Sequence, residues 1–313
     1  MSSDNEQWVA ALDVGGRSIK YGAVSESGAL LGRSATSVDS DGSMEHILDA
    51  LRGSVTAALS AAPRSAAPTS PSQVSIAFPE PFDYAAGTPL LRHKFASLHG
   101  LDLTGAIVDS VTGDLEISYL NDAVAAGIGE MWLGAGDSER KTLMITLGTG
   151  LGACLVLRGG PVSPTGGLFN TPVGDLYLRA TPLGVADDVF SARGLATRLG
   201  TSMGNLEAAV ERTRQVEPDE SGEARSARRL IEQFGADLGR FLSPVIDSVG
   251  AELLLIGGGL VAAFDLFGST LTEIVEVETR AARLGNDAAL YGAARHRFDL
   301  GRPGGGAASG VGD

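Results

Sequence analysis

The chain has little of what several common chemistries require. Of its 313 residues, one is cysteine and four are histidine, too few for a Cys/His zinc site. Cys154 has no partner for an internal disulfide, so a reduced compartment, the cytoplasm, is expected. No apolar stretch approaches the roughly 18 residues of a membrane span. The opening MSSDNEQW is polar and acidic, unlike a secretory leader. The phosphate-binding pattern GxxxxGK followed by Ser or Thr does not occur. Positive charge is also scarce, with 24 Lys and Arg against 38 Asp and Glu and a net charge of -14. That balance argues against a nucleic-acid partner, whose phosphates are neutralised by Lys and Arg. It leaves small anions open, because backbone N–H groups hold phosphate without side-chain cations.

Glycine is what the chain has most conspicuously, 43 residues, many of them clustered at the ends of apolar runs. Trp8 to Val14 is such a run, ending in Asp13-Val14-Gly15-Gly16. Ile19 to Val24 and Ala29 to Thr36 follow it, separated by SESG, and the whole reads as three strands joined by turns. Residues 43–62 carry apolar residues at helical spacing, with Ser43 placed to cap. Residues 63–72 are rich in Pro, Ser and Ala and read as a loop. Val74 to Phe78 reads as a strand running into Pro79-Glu80-Pro81.

The layout then recurs about 130 residues later. Lys141 to Leu147 precedes Gly148-Thr149-Gly150, Gly152 to Leu157 follows, and Gly159-Gly160 turns before Val162. The residue identities differ, so either an internal duplication or two unrelated hairpins would produce it. Beyond Gly194 the pattern is helical over 205–214 and 224–248. A strand at 252–256 runs into Gly257-Gly258-Gly259, and a last helix spans 286–297, capped by Asn286 or Asp287. The tail GRPGGGAASGVGD reads as disordered.

Each candidate site has a structural explanation beside the functional one. Gly148-Thr149-Gly150-Leu151-Gly152 lies between two strand-like runs, which excludes a dinucleotide-binding fingerprint, where a helix must follow the glycines. It is either a glycine hairpin or a turn whose N–H groups approach phosphate. Asp13 beside Gly15-Gly16 could in addition hold a metal ion. Asn121 and Asp122 open a helix-like segment, LNDAVAAGIGE, so either could be an N-cap. A carboxylate there could equally be the base that phosphoryl transfer to an alcohol needs. Gly257 to Gly259 is a strand-to-helix turn or a place where a ligand ring approaches backbone.

The order of these motifs along the chain is more informative than any one of them. From about residue 8 to about 297 the chain resembles the ROK family of actin-like sugar kinases and repressors. DVGGRSIKYGAV resembles the family's first phosphate motif, with Asp13 organising magnesium and Gly15, Gly16, Arg17 and Lys20 near phosphate. FPEPFDYAAG resembles a segment lining the sugar cleft. LNDAVAAGIGE resembles the most specific motif, in which Asn121 holds a sugar hydroxyl and Asp122 is the general base. ITLGTGLGACLV resembles the second phosphate motif, with Gly148, Thr149 and Gly150 at the terminal phosphates. LLIGGGL, carrying Gly257, Gly258 and Gly259, resembles the segment closing over adenosine. VADDVFSARGL places Asp187 where many members carry a sugar-reaching Glu. The sequence departs from the family at Arg17, where Thr is usual, and at Glu80, where Gly is usual. The ExGH sugar motif is reduced to Asp175 at the Glu and Leu178 at the His, and the Cys-rich zinc motif is missing, so no zinc is expected.

The resemblance implies a two-domain α/β, actin-like (ribonuclease H-like) fold with an interdomain cleft. The expected domains are 1–121, with helix 286–297 packed back on it, and 122–285, followed by a disordered tail at 299–313. It also implies an ATP- and Mg2+-dependent hexose kinase with a sugar acceptor, a homodimer with neither nucleic acid nor membrane as partner. Substrate contacts would come from Asn121, Asp122, Glu80, Asp175 and Asp187. Two alternatives stand beside this reading. A sugar-responsive repressor would carry an N-terminal winged helix-turn-helix, for which Asp13 comes too early. A weakened homologue that binds sugar or nucleotide without turnover would account for Arg17, Glu80 and the reduced ExGH motif.

Overall fold

The computed structural model describes residues 6–63, 72–157, 160–161, 173–214 and 222–301. Most of the Pro/Ser/Ala-rich stretch, the GGLFNT part of the sugar-motif match and nearly all of the Gly-rich tail lie outside them. The described residues divide into two units: those of 6–133 and 287–301 form one, and those of 134–161 and 173–286 the other.

The first unit is built on a five-stranded sheet. Strands β1 (Trp8–Val14), β2 (Ser18–Ser25) and β3 (Leu30–Ser37) form an antiparallel meander, and β4 (Ser72–Phe78) and β5 (Leu115–Asn121) extend it parallel to β1, in the order β3-β2-β1-β4-β5. Val9 to Leu12 form a continuous buried run in β1, as expected of a strand with both faces covered. Helix α1 (Met44–Ala61) packs its Ile47, Leu48, Leu51, Val55 and Ala58 stripe into this core, and the Ser43 side chain caps it by accepting from the His46 N–H.

Helix α2 (Asp122–Leu133) also belongs to the first unit, so the division falls after Leu133 and not at the expected 121/122 boundary. The reason is a close helix crossing. A Cβ on Gly129 would collide with the Ala288 carbonyl oxygen, and one on Gly292 with that of Ala125. Two glycines thus let α2 lie backbone to backbone on the last helix, Ala288–Leu300, which returns to this unit. Asp287 precedes that helix without capping it, because its carboxylate accepts from Arg33 Nε at 2.9 Å.

The second unit repeats the plan. Strands β6 (Thr142–Leu147), β7 (Leu151–Leu157) and β8 (Gly160–Pro161) are antiparallel, and β9 (Leu253–Gly257) and β10 (Glu278–Ala281) continue parallel to β6, in the order β8-β7-β6-β9-β10. The recurring layout seen in the sequence is thus one topology used twice. Its core is closed by the long helix Gly222–Val249 and by Phe190, Phe234 and Phe267. Among the described residues no helix is long and apolar enough to cross a membrane.

Candidate active site

Parallel strands place their carboxyl ends at one edge of a sheet, where open α/β sheets bind ligands. In the first unit β1, β4 and β5 are such a set, with Asp13 beside Ala77 and Phe78 beside Asn121. Asp13, Glu80, Asn121 and Asp122, far apart in sequence, therefore meet at one edge. The segment carrying Glu80 is anchored by an aromatic cluster: Phe82 lies 4.8 Å from Phe78, Phe95 5.3 Å from Phe78, and Tyr119 5.2 Å from Phe82, between ring centroids. The Glu80–Pro81 peptide bond is cis.

Asn121 caps α2. Its Oδ1 accepts from the N–H groups of Ala123 and Val124, at 2.9 and 3.0 Å. Its Nδ2 donates to Glu80 Oε1 at 2.9 Å and to the Tyr84 hydroxyl at 3.4 Å, and Tyr84 in turn donates to the Phe78 carbonyl at 3.0 Å. Both donors and both lone pairs of the amide are thus in use, and a sugar hydroxyl would have to replace one of these partners. Asp122, relieved of capping, keeps a half-exposed carboxylate whose Oδ1, among the described residues, accepts only from the Ala123 N–H, at 2.9 Å. Tyr84 is the site residue that sequence reading missed, although it sits inside the quoted FPEPFDYAAG.

Burial and like charge act on this edge together. Glu80 is pushed up to about 7, first by burial and then by the charge on Asp122, with Lys94 opposing. Burial likewise raises Asp13, Lys20 opposes, and Asp122 and Asp287 add to the rise. Asp13 and Lys20 face each other across the β1–β2 pair and form an ion pair at 2.9 Å. Arg17, exposed beside Gly16, has no side-chain partner among the described residues.

Among the described residues no cluster of three or more His, Cys, Asp and Glu could hold a metal by itself. Mg2+ does not need one, since it retains several waters and takes one or two carboxylates plus substrate phosphates. Asp13, a largely buried carboxylate with Oδ2 on Lys20 and Oδ1 without a partner among the described residues, fits that role.

In the second unit β6 and β9 play the same part. Gly257 pairs with Thr146, so the Gly148-Thr149-Gly150 turn and Gly258-Gly259 share a sheet edge. Gly258 has φ +81°, and a Cβ there would press into the Leu147 backbone at 2.6 Å, so this turn admits only glycine. Asp187 reaches this turn as well, its Oδ1 2.6 Å from the Leu151 nitrogen. Asp175 makes no hydrogen bond to this turn among the described residues; its carboxylate accepts from Arg179 at 3.0 Å, and Leu178, at the expected His position, is exposed.

Two units of one ribonuclease H-like topology, each with a glycine turn at the carboxyl edge of its sheet, define an α/β protein of the actin-like sugar kinase fold. A model of the ROK family matches residues 9–296, and the chain belongs to that family. A glucokinase from Halalkalibacterium halodurans is 28% identical over 202 residues, covering 55% of this chain and 60% of that protein, so the match spans little more than half of the relative's length. The solved structure of a ROK family glucokinase from Streptomyces griseus, in complex with glucose and AMPPNP, has a TM-score of 0.74 at 22% identity, over 93% of this chain and 99% of that one. An inorganic polyphosphate/ATP-glucomannokinase from Arthrobacter sp. strain KM has a TM-score of 0.68 at 24% identity, over 93% and 98%.

Proposed function

We propose that this protein is a hexose kinase, transferring the terminal phosphoryl group of ATP to a sugar hydroxyl with Asp122 as general base. One observation carries the assignment of the base: Asn121 caps α2, which leaves the adjacent Asp122 carboxylate half-exposed at the edge where Asp13 and Glu80 also lie. Phosphoryl transfer to an alcohol asks little covalent chemistry of the protein. Asp122 would accept the proton of the attacking hydroxyl. In the first unit the Gly16 N–H and Arg17, and in the second the Thr149 and Gly150 N–H groups, would each offer positive charge to phosphate. Asp13 would hold Mg2+, which when bound would supply charge neutralisation on phosphate. Support for ATP comes from the AMPPNP complex of the Streptomyces neighbour. The Arthrobacter neighbour makes polyphosphate the second donor to try.

The same reading makes the protein a cytoplasmic homodimer. A lone buried cysteine supports the compartment, and family resemblance supports the dimer. Light scattering of the purified protein tests the latter.

The deciding experiment measures ATP consumption with hexoses, N-acetylhexosamines and ketohexoses, beside Asp122→Asn. General-base catalysis contributes about 10²–10⁴-fold, and the variant should lose that much of kcat while the helix cap on Asn121 stays intact. Turnover no higher than the variant's with every acceptor and both donors would end the kinase reading in favour of a binding homologue. Full activity in the variant would leave a kinase whose base lies elsewhere.

A further inference from the structure

Resemblance aligns Asp187 with a sugar-reaching Glu, but its carboxylate is committed elsewhere. Oδ1 accepts from the Leu151 N–H at 2.6 Å, and Oδ2 accepts from Arg193 Nη2 at 2.7 Å. Arg193 Nε in turn donates to the Thr149 carbonyl at 3.2 Å. The Ala192 N–H, at the start of helix Ala192–Arg198, donates to the Gly148 carbonyl at 2.7 Å, and the Gly148 N–H donates to the Gly150 carbonyl at 2.9 Å. All three carbonyls of the turn are therefore satisfied within the protein. The N–H groups of Thr149 and Gly150 have no acceptor among the described residues. A turn that satisfies its carbonyls inwardly and leaves successive N–H groups available is arranged for an anion.

The clamp is close and well anchored. A Cβ on Gly150 would stand 2.8 Å from Asp187 Oδ1, so the carboxylate lies directly against the turn. Its segment is held by Ala186 and Phe190, both buried, the latter stacked on Phe241 at 5.1 Å. Arg193 also cancels the negative charge that Asp187 would otherwise present to a phosphate, and Asp188 stands further off, 3.8 Å from Nη2.

We propose that Asp187 and Arg193 are positioning residues for the Gly148–Gly150 turn, setting affinity for donor phosphate and not for the sugar. The inference rests on the kinase reading above. A sugar ligand at Asp187 and a turn clamp at Asp187 predict opposite kinetic splits.

The test compares wild type, Asp187→Ala and Arg193→Leu, with Arg193→Lys as the conservative variant. Each is measured with ATP and with glucose as the acceptor probe. Loss of a charge-assisted hydrogen bond should raise KM for ATP by about tenfold to a hundredfold, with KM for glucose unchanged and Arg193→Lys intermediate. Amide hydrogen exchange at Leu151 should accelerate in Asp187→Ala, which removes its acceptor. A rise in KM for glucose with KM for ATP unchanged would overturn the proposal and restore Asp187 to the sugar. Should the wild type turn over no acceptor, the kinase reading fails by itself, and the clamp is decided by exchange at Leu151. Faster exchange in Asp187→Ala supports it, and unchanged exchange overturns it.

Discussion

Replacing Glu80 with glutamine should change how the first unit's stability depends on pH. Glu80 Oε1 accepts from Asn121 Nδ2 at 2.9 Å, a bond that a glutamine carbonyl can keep. The charge is what the substitution removes. Burial, then Asp122, lift the Glu80 carboxyl from an ordinary 4.5 to about 7, against the pull of Lys94, and the Tyr84 hydroxyl is the other titratable group beside it. A carboxyl raised in the folded state favours folding in its protonated form. Its contribution is fully present below about 4.5 and is lost as pH rises through about 7. At 1.36 kcal/mol per unit that interval is worth about 3 kcal/mol. Solvent reaching the half-buried carboxylate reduces it to about 1–2 kcal/mol. Both tryptophans, Trp8 and Trp132, lie in the first unit, so their fluorescence follows that unit alone. Urea midpoints should show wild type losing about 1–2 kcal/mol relative to Glu80→Gln between mildly acidic and mildly alkaline pH. Parallel stability curves for the two proteins over that range would refute the assignment of a raised, buried carboxyl.

Lys20→Met should destabilise the first unit by about 3 kcal/mol, because it strips the 2.9 Å partner from a largely buried Asp13 carboxylate. The tryptophan transition should show it, and an unchanged midpoint would mean that water replaces Lys20. Gly292→Val should cost about 3 kcal/mol or more, or yield insoluble protein, because its side chain would enter the Ala125 backbone across the helix crossing. Wild-type stability in that variant would show that the two helices separate at little cost.

Much of the fold was written locally. The runs read at 8–14, 19–24 and 29–36, each within a residue of the observed strands, their glycine turns, the Ser43 cap and the recurrence from residue 141 all follow from side-chain periodicity and turn chemistry, which act between neighbours in the chain. The order of the Asp-Gly-Gly, Asn-Asp-Ala, Gly-Thr-Gly and triple-glycine motifs was enough to point to the ROK family. Local pattern could not choose between Asn121 and Asp122 as the cap, and the family resemblance, which assigns Asp187 to the sugar, is silent on the Leu151 and Arg193 donors its carboxylate meets. It also placed the first boundary before α2. Those points depend on parallel-strand register, which sets Phe78 and Glu80 beside Asn121, and on a glycine crossing between helices about 160 residues apart. A carboxylate's role is decided by which donors come within about 3 Å of it. For Asp122, Asp187 and Glu80 those donors, or their absence, come from tertiary packing.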